Sequence, residues 1–143
     1  MTDVLPDPDS EFGARVRRRF ADDKIAWLTS VDADGTPQPN PVWFLLLDDG
    51  DVLVYSQPHA RRLRHISAQP RVSLHFNSTA GGGDVIVLTG RAEVDAGFPL
   101  AHEFPPYMEK YGADAARISS DVVAFANDYN VAVRIRLEKI RGF

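Results

Sequence analysis

Cysteine is absent from this 143-residue chain. That excludes a disulfide framework, a thiolate metal site and a cysteine nucleophile. Long apolar runs are missing too. The longest wholly apolar stretch is Val42–Leu47, far short of the roughly 20 residues a membrane-spanning helix needs. The opening MTDVLPDPDS has no basic stretch followed by an apolar one, so no secretory signal is expected there and the simplest expectation is a cytoplasmic protein. A basic balance is lacking as well: 16 Lys and Arg face 20 Asp and Glu, for a net charge of −4. General nucleic-acid binding needs a net basic face and is not expected. The four histidines have no metal-ligand spacing with acids, so no metal site is expected either. Lysine is scarce, with 13 arginines to 3 lysines, a compositional mark of a GC-rich genome.

One absence is local. No acid occurs between Asp51 and Asp84, where an even spread of the chain's acids would place about four or five. The same gap holds Arg61, Arg62, Arg64 and Arg71 with His59, His65 and His75, in QPHARRLRHISAQPRVSLHFN. An acidic protein has cleared negative charge from one segment and filled it with arginine.

The length and an apolar share of 44% predict one soluble domain over residues 10–143, preceded by a flexible arm, residues 1–9, with two prolines among acids. Ser10 is placed to cap a helix whose face carries Phe12, Val16 and Phe20. From Lys24 the period changes. IAWLTSV, QPNPVWFLLL and VLVYS read as three strands joined by the turns DADGTP and DDGD, an antiparallel meander. Pro37, Pro39 and Pro41 mark the second strand as an edge or a bulged start. ARRLRHISAQP reads as a short helix with Leu63 and Ile66 inward and a stop at Pro70. RVSLHFN and DVIVLTGRAEV are the next strands, separated by the loop STAGGG. Helical pieces follow around Tyr107–Tyr111 and from about Ser119, the latter with Val122, Val123 and Ala126 as its apolar side. NVAVRIRLEKI closes the chain as a half-buried strand with Val131, Val133, Ile135 and Leu137 on one face. Six mostly antiparallel strands with few helices predict a mainly β fold, a closed or nearly closed barrel.

A short helix that opens with two arginines, after a strand ending in Ser56, is a workable anion site. Helix-start N–H groups favour negative charge, and arginine adds planar bidentate donors. The spacing alone equally suits arginines that merely solvate a helix. Trp43 fits a core position or a wall beside a flat ring; Trp27 reads as core. Ser73 has no evident base partner, Asp22–Asp23 and Asp48–Asp49 read as turn or cap acids, and STAGGGD lacks the Gly-Lys-Ser/Thr of a phosphate loop. The catalytic residues are therefore unknown from side chains alone, and any redox chemistry falls to a cofactor.

The run from the Asp34–Gly35 turn through PVWF and VYSQPHARRLRHISAQPRVSLHFN resembles the pyridoxamine 5′-phosphate oxidase-like superfamily of flavin-binding split β-barrels. The likeness lies in the aromatic–hydroxyl pair Tyr55–Ser56, the basic pair Arg61–Arg62 and QPRVSL, with Gln69 in place of asparagine. PVWF, YSQP, GGDV, EKYG and the closing RGF are similar to an actinobacterial branch that depends on coenzyme F420, a deazaflavin. The resemblance implies a six-stranded FMN-binding-like split barrel, homodimeric, with cofactor sites at the interface. It implies that Ser56, Arg61 and Arg62 hold the cofactor's phosphate beside Tyr55, and that Asn40, Pro41, Val42 and Trp43 lie along the ring. It leaves Arg64 for the acidic tail of F420. Asp84 falls where a glutamine often reaches the ring from the partner subunit; an ionised aspartate accepts hydrogen bonds there but cannot donate. Arg62 stands in place of the oxidases' lysine, and the chain stops at Phe143 before their substrate-contacting segment, so pyridoxamine phosphate oxidation is not carried over. The expected activity is hydride transfer from F420 to a small organic substrate. An FMN-binding reductase is the neighbouring alternative, and a non-catalytic flavin, deazaflavin or haem carrier is the alternative from another class.

Overall fold

A computed structural model of the chain describes residues 4–143. The expected arm begins outside the described residues; within its described part, Val4 and Leu5 pack against the core. Ser10 then accepts the Gly13 N–H at 2.9 Å and caps α1, Glu11–Asp22, whose buried face is Gly13, Val16 and Phe20. Capping of this kind satisfies one of the helix's orphan donors.

Seven strands form one antiparallel sheet: β1 Ala26–Val31, β2 Pro37–Val42, β3 Leu45–Leu46, β4 Val52–Ser56, β5 Arg71–His75, β6 Ile86–Val94 and β7 Val131–Gly142. Their order across the sheet is β2-β1-β5-β6-β7-β4-β3. The split barrel is as the sequence predicts, with one strand more than the six expected. The extra strand arises because QPNPVWFLLL is not one strand but two, broken at Trp43–Phe44. The expected meander is corrected with it. β2 pairs with β1, whereas β3 pairs with β4 at the opposite edge of the sheet.

That split forces closure. Val42 ends β2 and Leu45 starts β3, so the two sheet edges are joined by three Cα steps, at most roughly 11 Å. Opposite edges of a seven-stranded sheet come this close only if the sheet curls round on itself. A bulge that leaves Glu138 of β7 without a partner, opposite Thr89–Gly90 of β6, supplies part of the bend. Gly90 is needed there because a Cβ would sit 2.1 Å from the Arg136 carbonyl oxygen. Gly35, at φ +83°, makes the β1–β2 turn, a backbone region glycine enters freely. The prolines of β2 lie on an edge strand, as their missing donors require.

The core has two parts. The barrel interior holds Phe20, Leu28, Phe44, Val54, Leu74, Leu88 and Ile135 among others. A second cluster lies outside it, where a 3₁₀ turn (Ala101–Glu103), α3 (Pro105–Ile118) and α4 (Val122–Asp128) cover Leu53, Tyr55 and Ala132. β4 is buried along its whole length because it has core on both faces. In α4 the buried residues are Phe125 and Ala126; Val123, expected on the inner side, is 47% exposed. α2, Arg61–Ala68, inserts Ile66 into the barrel core and ends before Pro70. No helix among the described residues is long and apolar enough to cross a membrane.

The chain's jump between sheet edges leaves Phe44 fully buried and outside both ladders. Its backbone groups are satisfied from α3. The Tyr111 hydroxyl accepts the Phe44 N–H at 2.9 Å and lies 2.9 Å from both the Phe44 and Lys24 carbonyl oxygens, either of which takes its proton. Lys110 Nζ donates to the Phe20 and Phe44 carbonyls at 2.9 and 3.2 Å and sits 3.8 Å over the Phe44 ring. Burial, aided by the nearby Lys24 charge, pulls the Lys110 ammonium down to about 8. Removing the hydroxyl in Tyr111→Phe leaves the Phe44 N–H buried and unpaired. The expected cost is about 1–3 kcal/mol, read as a lower urea midpoint with an unchanged slope. An unshifted midpoint would show that the crossing does not depend on this hydroxyl.

Candidate functional site

Two groups of arginine differ in how their charge is met. On α1, Arg15 and Arg19 bind the two oxygens of Asp84, Arg19 at 2.6 Å, and Arg19 also pairs with Asp23 at 2.8 Å. On α2 and the start of β5, Arg61, Arg62, Arg64 and Arg71 have no carboxylate partner among the described residues. The acid-free gap in the sequence therefore survives folding: no acid among the described residues folds back to neutralise it.

α2 starts without a cap. Ala60 occupies the N-cap position, its side chain offers no hydrogen bond, and the first turn carries no acid. Arg62 is half-buried, and its one side-chain hydrogen bond among the described residues is a long one, 3.3 Å, to the Ser56 hydroxyl. Ser56 is 2% exposed at the end of β4. Burial pulls the Arg62 guanidinium below its ordinary value, with Tyr129 opposing, yet an arginine stays charged in proteins. The arrangement is a partly desolvated cation, a hydroxyl and free helix-start N–H groups with no anion between them. Such a set fits a phosphate or carboxylate.

Arg62 also lines a cleft of about 210 Å³ together with Pro41, Val42, Trp43, Tyr55 and Tyr107, closed off by Phe125 and Tyr129 of the helical layer. The structure thus joins residues from β2, the edge crossing, β4 and α2 that lie far apart in sequence. Trp43 is both wall and packing residue. It is half-buried and stacks on Tyr111, with ring centroids 4.8 Å apart, and on Phe125 at 5.4 Å. The Tyr55 ring lines the cleft, but its hydroxyl is committed to the Pro99 carbonyl at 2.7 Å. Desolvation raises its pKa above the phenol range.

Other predicted residues lie elsewhere. Asn40 is exposed on β2 opposite Leu28, and Arg61 and Arg64 are exposed on α2; none of the three lines the cleft. Asp84, at φ 54°, is taken up by Arg15 and Arg19 and is not among the cleft residues. Sequence reading missed Tyr107, Phe125 and Tyr129 as site residues. Their signal was the i, i+4 aromatic spacing of Tyr107–Tyr111 and Phe125–Tyr129 on two successive helices. A larger cleft of about 460 Å³ lies between α2 and the β6–β7 ladder, but there Arg134 is bound by Asp49, Asp51 and Asp95, and Arg91 by Glu138.

The sequence profile of the family described as pyridoxamine 5′-phosphate oxidase matches residues 12–142. A pyridoxine/pyridoxamine 5′-phosphate oxidase from Cupriavidus necator is 31% identical over 80 residues, 53% of this chain and 38% of that protein. The match thus spans about two-fifths of that curated relative's length. Among solved structures, an F420 reductase aligns with a TM-score of 0.66 at 20% identity, covering 87% of this chain and 94% of that one. General Stress Protein 26 from Bacillus anthracis aligns at 0.67 and 17% identity, covering 89% of each. HutZ, the heme storage protein from Vibrio cholerae, aligns at 0.63 and 15% identity, covering 90% and 92%. These likenesses show a common fold.

The Asp84 latch predicts an acid response. Hydrogen bonding to Arg15, reinforced by the Arg15 and Arg19 charges, holds the Asp84 carboxyl below its ordinary 3.8. A depressed carboxylate stabilises the fold above its unfolded-state value, and that contribution is lost as pH falls through the folded one. Asp84→Asn, which also tolerates the left-handed backbone, should be less stable than the parent at pH 7, with the gap closing below pH 3.8. Denaturant midpoints measured from pH 7 to pH 2 check this; a constant gap would mean the latch is not electrostatic.

Proposed function

The chain belongs to the pyridoxamine 5′-phosphate oxidase family, and on that premise we propose that it is a homodimeric oxidoreductase that binds coenzyme F420 and passes hydride to a small organic substrate. The observation that carries the reading is the set of four arginines around α2 with no carboxylate to meet them among the described residues. One phosphate needs fewer charges than this. F420 presents a phosphate and several carboxylates, which supports it over FMN. FMN is the second reading, because its single phosphate would meet the same Arg62, Ser56 and α2 start.

Bound deazaflavin supplies the hydride chemistry, with C5 as the donor atom. The chain supplies the rest. Arg62 and the Ser56 hydroxyl hold a phosphate oxygen, and the uncapped α2 start adds backbone donors. Arg61 and Arg64, exposed on the same helix, steer and retain the anionic tail. Pro41, Val42 and Trp43 present a flat apolar wall, and the aromatic cleft behind it excludes water. The oxidase's own activity on pyridoxamine phosphate is not proposed, since the match covers only part of that protein.

A cofactor lying across the rim needs a second wall. The outward face of β1 and β5 keeps Trp27, Thr29, Ser73 and His75 only half-buried, with Trp27 stacked on His75 at 6.5 Å. A second copy related by a twofold axis, the commonest closed symmetry, would cover this face and complete two equivalent sites.

Two tests follow. In a fluorescence titration, F420 should bind more tightly than FMN, and its affinity should fall as salt screens the arginines. Arg62→Ala should weaken F420 by roughly ten- to over a hundredfold, the range for a charge-assisted contact. Arg61→Ala should weaken it with no change in apo-protein melting. Equal affinity, or a preference for FMN, would move the assignment to the second reading, and variants that bind like the parent would return the arginines to mere helix solvation. For assembly, light scattering at micromolar concentration should give a dimer; a monomer would remove the second wall.

A further inference from the structure

Three buried tyrosines and the partly buried Tyr129 crowd the second core cluster, and two of the buried ones are satisfied. Tyr55 donates to the Pro99 carbonyl, and Tyr111 is bonded to the Phe44 backbone. Tyr107 is different. It is 1% exposed, it lines the cleft, and its hydroxyl has no hydrogen-bond partner among the described residues. The one side-chain polar atom among the described residues that is both sealed and unpaired is His102 Nδ1. The Tyr107 oxygen is therefore not sealed, and the cleft is the cavity that Tyr107 lines. A buried hydroxyl without an acceptor is costly, and an acceptor on a ligand removes the cost. Desolvation raises the Tyr107 pKa above the phenol range, with Tyr111, Tyr55 and Tyr129 adding to it, so the group is a neutral donor at physiological pH.

The walls define the shape of the occupant. Phe125 lies nearly parallel to Trp43, at 5.4 Å and 21°, and to Tyr129, at 4.8 Å and 19°. Ile118, 57% exposed, gives the mouth an apolar edge. The volume is about 210 Å³. An apolar cavity of about 150 Å³ holds benzene, and pockets for drug-sized ligands begin near about 300 Å³. One or two fused rings fit; a three-ring deazaflavin with its side chain does not.

We propose that this cleft takes a small planar aromatic carbonyl compound whose oxygen accepts a hydrogen bond from Tyr107. The proposal names the substrate class for the oxidoreductase reading and rests on that reading. Its test uses protein free of cofactor, so failure here and failure of cofactor binding are separate results.

Acetophenone is the probe, and ethylbenzene, nearly the same shape without the oxygen, is the control. Binding is followed by ligand-observed NMR and by quenching of tryptophan fluorescence. Acetophenone should bind saturably. Tyr107→Phe should weaken it by about two- to tenfold, the effect of one neutral hydrogen bond, and leave ethylbenzene affinity unchanged. Because the hydroxyl has no protein partner, Tyr107→Phe should not lower the melting temperature. Absence of saturable acetophenone binding, or equal affinity in parent and variant, would overturn the proposal. A lower melting temperature in Tyr107→Phe would overturn it too, by showing that the hydroxyl already has a partner in the fold.

Discussion

The backbone of Phe44 is where the structure is most constrained. Two residues carry the chain from one edge of the sheet to the other, through the interior, where unpaired amide groups cannot be left. Tyr111 and Lys110 meet that demand from α3. The barrel can close because these side chains replace the ladder bonds that the crossing gives up. The same contacts dock α3 against the barrel and stack Tyr111 under Trp43. Barrel closure, the helical layer and the position of Trp43 in the cleft are thus consequences of one satisfied peptide unit.

Charge is divided as sharply as the core. The α1 arginines are used structurally: Arg15 and Arg19 pin the loop before β6 through Asp84, and Arg19 also reaches the Asn77 carbonyl at 2.8 Å. The α2 arginines carry no internal duty of this kind. α2 is held instead by Ile66 in the core and by a 2.8 Å bond between His65 Nδ1 and the buried Ser30 hydroxyl. A helix anchored through its apolar face and one histidine leaves its guanidinium groups free for a ligand. The half-burial of Arg62 matters most, since a cation removed from water and given only a 3.3 Å hydroxyl contact gains more from an anion than an exposed one does.

The cleft and the anion site share Arg62 but differ in character. The α2 start offers charge and backbone donors; the cleft offers aromatic faces and two phenols, Tyr107 and Tyr129, without a partner among the described residues. A cofactor held by its phosphate on the rim and a small molecule held behind it would meet at Pro41–Trp43. That division of labour follows from where β2 ends, since the last residues of an edge strand made of prolines have no ladder partner on the outer side and are open to a ligand.

Local chemistry was legible in the residues alone. Alternation, turn glycines, the Ser10 cap and the stop at Pro70 placed α1, α2 and most strands, and the acid-free arginine segment stood out as a block of positive charge, because each depends on near neighbours in the chain. The resemblance supplied the split barrel and the roles proposed for Ser56, Arg61 and Arg62. The break at Trp43–Phe44 was not legible, since a run of apolar residues reads as one strand whether or not its halves pair with the same neighbour. What separates them is a hydroxyl and an ammonium 67 and 66 residues away in sequence. The same holds for the aromatic lining. Tyr107, Phe125 and Tyr129 read as ordinary helix residues until α3 and α4 fold over β4, where the Tyr55 and Tyr111 hydroxyls are spent on backbone groups and the Tyr107 hydroxyl is not. Composition and periodicity determined the elements and the sign of the charge they carry; the packing of distant segments decided which polar groups were left over, and those leftover groups are what the site is made of.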